Sequence, residues 1–127
     1  MKYLSFVRSS EKFRNMQPPP AMMEAMGKLI EKFTKAGALV DTGGLAPSKD
    51  GFRMRLAGGK LTTTDGPFID TKELIGGWAI LKADSREEIL RLSAEFMELH
   101  GKYWPEFEGE CEVRPIDFLL SDAHGAR

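Results

Sequence analysis

The residues best suited to chemistry fall in one block, "LTTTDGPFIDTKELIGGWAIL", residues 61–81. Asp65 puts a carboxylate immediately before Gly66-Pro67-Phe68. Held at the mouth of a cleft, that carboxylate is a general base or a ligand anchor. Lys72 would hold an anionic substrate group, with Glu73 beside it. Phe68 and Trp78 offer aromatic walls for a pocket. Arg53, sharing a strand face with Arg55, would recognise a carboxylate by paired hydrogen bonds. The chemistry such a set could support is proton transfer, as in a small isomerase or lyase.

Each of these residues also has a purely architectural reading. Proline fixes φ and holds the preceding residue extended, so the block leaves its strand by a stiff exit with Asp65 as an Asx-type cap. Phe68 suits an apolar plug over the core. Neighbours on a strand point apart, so Lys72 and Glu73 would serve different partners, in ion pairs of small energy if exposed. Gly76-Gly77 has no phosphate-loop or dinucleotide spacing around it, and no cofactor is indicated. Within a strand the pair admits a close neighbour such as Trp78, or leaves room for a ligand. His100 is the one histidine outside the tail, at a helix C-terminus that favours its charged form. Glu106, Glu108 and Glu110 follow it without zinc spacing, so no metal site is expected. Cys111 reads as a small apolar residue at the start of a strand.

The elements that must position these groups follow from periodicity. Residues 2–8 are strand formers. A proline run closes the loop over 9–20 and can begin a helix. Met22, Met26, Leu29, Ile30 and Phe33 form one stripe of a helix over 20–36, and Gly37 is its C′ residue. On the outer face, Glu24 to Lys28 and Glu31 to Lys35 are favourable i,i+4 pairs. Residues 38–46 form a strand that Gly43-Gly44 interrupts, suggesting a bulge or a close approach. Residues 52–56 alternate strictly and pair with 60–65 as a hairpin. A further strand covers 74–83. Ser85 and Glu88 form a capping box for a helix with Ile89, Leu92, Phe96 and Leu99 on its buried stripe, ended by Gly101. Trp104, Pro105 and Phe107 lie in a loop before the last strand, 111–116. Phe118, Leu119 and Leu120 of the tail are expected to dock on the protein surface or on a partner.

The order β-α-β, hairpin, β-α-β fits a ferredoxin-like split βαβ sheet with both helices on one face. The opposite face then needs a cover, and a second copy of the chain is the natural one. Bulk properties agree with one small domain: 127 residues, 42% apolar, 29% charged, net charge −1. There is no basic block to mark a nucleic-acid binder. No apolar run is long enough to span a membrane. A single cysteine and the lack of a signal-like N-terminus fit the cytoplasm.

"TDGPFIDTKELIGGW" (64–78), supported by the closing "CEVRPI" and the opening "MKYL", resembles the YCII-related superfamily in its DGPF branch. The resemblance implies a domain over 1–117 with a tail over 118–127, and a dimeric α+β barrel whose cleft is lined by both subunits. Related folds include isomerases and lyases of aromatic degradation. Some members are associated with sigma-factor-like proteins, which implies a regulatory role and a possible partner of that kind. The wider superfamily pairs an early histidine with an aspartate as an acid–base dyad, and this chain has no histidine before His100. The expectation is therefore a homodimeric module that binds a small ligand in a cleft. The alternative is an isomerase or lyase using Asp65.

Overall fold

The computed structural model of the chain describes residues 1–10, 13, 16–68 and 74–117. The elements are β1 (Lys2–Ser9), α1 (Pro20–Lys35), β2 (Leu39–Gly44), β3 (Phe52–Ala57), β4 (Lys60–Asp65), β5 (Leu74–Lys82), α2 (Arg86–Tyr103) and β6 (Gly109–Pro115). A short 3-10 turn, Ser48–Asp50, precedes β3.

Four strands form one sheet in the order β2-β5-β1-β6, with every pairing antiparallel. This is the split βαβ arrangement, in which β5 lies between β1 and β2. Alternation along β1 decides the faces. Tyr3, Ser5 and Ser9 are buried, whereas Leu4 is 38% exposed. The buried set faces the helices. Leu29 and Phe33 of α1 meet Ile89 and Leu92 of α2 over Tyr3, Ala38, Leu81 and Ala83 to make the core. The opposite sheet face carries Leu4, Phe6, Trp78 and Ile80 in cross-strand register.

Local chemistry explains the element ends. Gly37 has a φ of 74°, and it closes α1 in a Schellman motif. Its N–H donates to the Thr34 carbonyl, and the Ala38 N–H donates to Phe33. The outer face of α1 carries both expected pairs, Glu24–Lys28 at 3.5 Å and Glu31–Lys35 at 2.8 Å. Ser85 caps α2 by accepting from the Glu88 N–H. The helix does not stop at Gly101. It runs to Tyr103, where the Trp104 N–H still bonds the His100 carbonyl. A glycine inside a last turn costs about 1 kcal/mol, which the buried Trp104 beyond it offsets.

β3 and β4 form a separate two-stranded sheet. Gly58 and Gly59 both have positive φ, the geometry of a two-residue primed turn. One face of this hairpin presents Phe52, Met54, Leu56 and Leu61, all more than half exposed.

Candidate functional site: an apolar cavity and the DGPF turn

Between the helices and the β2 edge of the sheet lies a cavity of about 380 Å³. That volume is at the lower end of ligand pockets, roughly 300–1,000 Å³. Met23, Met26, Ile30 and Phe33 of α1 form one wall, and Leu92, Ser93 and Phe96 of α2 another. The floor is Ser5, Val7, Thr42, Gly44, Gly77 and Ala79. Among the described residues, none that lines it carries an ionisable side chain. Exposed Met23 and Thr42 place its mouth between α1 and β2.

Glycines make this space. Gly77 and Gly44 are cross-strand partners and share the helix-facing side with Val7. A Cβ on Gly44 would meet nothing within 4 Å, and one on Gly77 only the Gly43 carbonyl at 3.5 Å. Gly43 does a different job. Its missing Cβ would sit 2.8 Å from Nε1 of Trp78, so the indole packs flat against the strand there. The Thr42 hydroxyl adds a hydrogen bond to the Trp78 carbonyl. Of the bulge or close approach expected at Gly43-Gly44, the close approach is what occurs, and the β2–β5 register slips earlier, between Leu39 and Asp41.

One polar side-chain atom of a lining residue lacks a partner among the described residues. The Ser93 hydroxyl oxygen is buried without a hydrogen bond. Ser5 and Thr42 are both satisfied, Ser5 by Cys111 Sγ at 3.3 Å.

The DGPF turn borders a second cavity of about 310 Å³, lined by Pro47, Ser48, Asp50, Arg53, Phe68 and Ile75 among others. Here the backbone is locked. Gly66 N–H donates to the Gly51 carbonyl at 2.9 Å, and Phe68 N–H donates to Ser48 Oγ at 3.3 Å. Any Cβ on Gly66 would overlap the Ser48 carbonyl. The Arg53 guanidinium lies 3.9 Å above the half-buried Phe68 ring. The Gly66–Pro67 peptide is cis.

The residues singled out from sequence therefore separate. Phe68 and Arg53 meet at the second cavity, and Trp78 borders the first. Asp65 is exposed at the last position of β4, opposite Phe52, and lines neither cavity. Its carboxylate has no hydrogen bond or ion pair among the described residues. Lys72 and Glu73 lie outside the described residues, as do Phe118, Leu119 and Leu120. Sequence reasoning passed over Met23 and Ser93, and noted Gly44 only as part of a strand interruption. Only one signal pointed to Ser93: a hydroxyl four residues after Ile89 and three before Phe96, within an apolar stripe.

His100 also departs from expectation. Its position in the last helical turn favours a charged ring, but the ring is buried among Phe96 and Phe107, with centroids 4.8 and 4.9 Å away. Burial lowers its pKa from the ordinary 6.5, outweighing the hydrogen bond to the Phe96 carbonyl, which raises it. That carbonyl can only accept, so Nδ1 carries the proton, at 3.1 Å. Trp104 and Phe13 complete the aromatic cluster. Among the described residues no group of His, Cys, Asp and Glu could hold a metal ion. No described helix is long and apolar enough to cross a membrane.

The fold and this cavity define a small α+β domain with a two-layer core. Residues 1–97 match the YCII-related domain, and the chain belongs to that family. It is similar to an uncharacterized protein of Rhizobium meliloti (strain 1021), 26% identical over 95 residues, covering 75% of this chain and 73% of that protein. Among solved structures it is similar to the de novo designed protein Foldit4, with 12% identity and a TM-score of 0.45, covering 91% of this chain and 99% of the designed one.

Proposed function

We propose that this chain is a small-ligand-binding accessory module of the DGPF type, working in the cytoplasm as a homodimer. The observation that carries the reading is the cavity between sheet and helices. It has the volume of a ligand site and, among the described residues, no ionisable group on its lining. Proton transfer needs an acid or base within hydrogen-bond reach of the reacting atom. Binding of an apolar molecule needs only the wall. The homodimer is supported by the outer sheet face, where Leu4, Phe6, Trp78 and Ile80 form an apolar surface with no layer of this chain over it among the described residues.

The test is a fluorescence or calorimetric titration with neutral aromatic fragments, run on the wild type and on Gly77→Leu. The leucine would occupy the cavity from its floor. Saturable binding by the wild type that the variant loses supports the reading. Binding that survives Gly77→Leu places the ligand elsewhere and defeats it. Sedimentation or light scattering on the same samples checks the dimer, and a monomer at micromolar concentration would count against that part.

A further inference from the structure

We propose that the β3–β4 hairpin is a dimerisation arm whose apolar face packs on the outer sheet face of a second copy of this chain. This rests on the homodimer reading above and names the segment that completes the interface. A two-stranded hairpin standing alone is marginal in water. β3 and β4 pair with each other, and no other described helix or strand has more than marginal contact with either. Yet the hairpin carries its apolar residues on the open side. Phe52, Met54, Leu56 and Leu61 share one face, and each is between 58% and 68% exposed. The chain's own body holds the other face. Arg53, which alternates with that set, stacks on Phe68 and shares the second cavity with Ile75. Ile75 is the β5 partner of Arg8, so it lies at the end of the outer sheet face. The hairpin is thus rooted beside that face, with its apolar side turned away from its own subunit.

Area points to the occupant. Four apolar side chains at that exposure present on the order of 400 Å², the size of a patch that is commonly functional. A stable interface takes roughly 800 Å² from each partner. The outer stripe of Leu4, Phe6, Trp78 and Ile80 is at most 38% exposed at any residue and falls short alone. The hairpin face and the stripe together approach the required size. A two-fold axis brings each arm onto the stripe of the other copy, so both orphan faces are covered and the assembly closes at two chains.

The test is sedimentation equilibrium on the wild type, on the double variant Met54→Glu with Leu56→Glu, and on Arg55→Ser, which alters the opposite face of the same strand. The double variant should raise the dimer dissociation constant by about a hundredfold, and Arg55→Ser should leave it within about twofold. Both residues of the double variant are exposed in the single chain, and circular dichroism confirms that the comparison is made on folded protein. A wild-type dimer whose dissociation constant survives the double variant overturns the arm and leaves the sheet-face dimer standing. A wild type that is monomeric at micromolar concentration overturns both. A second measurement needs no variant. Methionine-methyl-labelled copies are mixed with unlabelled ones, and NOEs between copies are recorded. Contacts from the Met54 methyl to the Phe6 or Trp78 ring of the unlabelled copy support the arm. Met54 contacts confined to its own copy overturn it.

Discussion

The two cavities differ in how their walls are made. The one under the DGPF turn is a region of crossing backbones. Gly51, Ser48 and Gly66 interlock there, and Arg53 caps Phe68. The one between sheet and helices is bounded by flexible methionines and by glycines whose missing side chains leave open space. The first spends its polar groups on holding the chain. The second leaves one hydroxyl unspent. A conspicuous motif can therefore be an architectural clamp at one end, the DGPF turn, while its Gly77 joins residues outside any motif to build the binding-competent space.

Two glycines make that contrast sharpest. Gly66→Ala forces a Cβ into the Ser48 carbonyl, and should destabilise the fold by about 3 kcal/mol, read as a lowered denaturant midpoint. Gly77→Ala, by contrast, meets only an ordinary contact and should stay within about 0.5 kcal/mol of the wild type. Equal losses in the two variants would erase the distinction between clamp and cavity.

Next in size is the effect on binding. Gly77→Leu should remove measurable binding of aromatic fragments, while Asp65→Asn should bind them as the wild type does, because Asp65 lines neither cavity. A binding loss in Asp65→Asn would move the site toward the turn.

A smaller effect comes from beside the apolar cavity, where the lining residue Phe96 touches His100. The folded state holds His100 neutral, with a pKa below 6.5, and the unfolded chain takes up a proton first as pH falls. The stability it contributes is full above pH 6.5 and is lost as pH drops toward the folded value. Melting temperature should therefore decline in that window, and His100→Phe should flatten the decline. A variant with an unchanged slope would assign the pH dependence to other groups.

The smallest effects belong to the clamp's side chains. Ser48→Ala removes the acceptor for the Phe68 N–H and should cost about 1 kcal/mol. Arg53→Ala gives up the stacking on Phe68 at an exposed site, for about 0.5 kcal/mol. Neither should change fragment binding.

Periodicity made the architecture legible. The stripes of α1 and α2, the alternation of β3, Gly37 and the Ser85 cap all reduce to local rules, and the structure follows them. The errors arise where tertiary packing overrides local preference. Gly101 does not end α2, because burying Trp104 extends it. His100 is held below its ordinary pKa, because the Phe96 ring one turn earlier and the Phe107 ring just beyond the helix fold over it and bury it. The candidate site was less legible for the same reason. Gly44 and Gly77 meet only through sheet register, and the lining residues of α2 reach the same cavity only because that helix packs across the sheet. No spacing along the chain announces an empty volume. The DGPF block drew attention because a clamp of contiguous residues does leave a linear signature.

The most direct test of the central claim uses the methionines as reporters. Met23 and Met26 line the cavity, whereas Met54 stands exposed on the hairpin. Methyl NMR spectra of methionine-labelled protein would be followed during a titration with 1-naphthol. Saturable shifts at Met23 and Met26, with Met54 unmoved, are the predicted result. Shifts at Met54 with Met23 and Met26 silent would contradict a ligand site between the sheet and the helices.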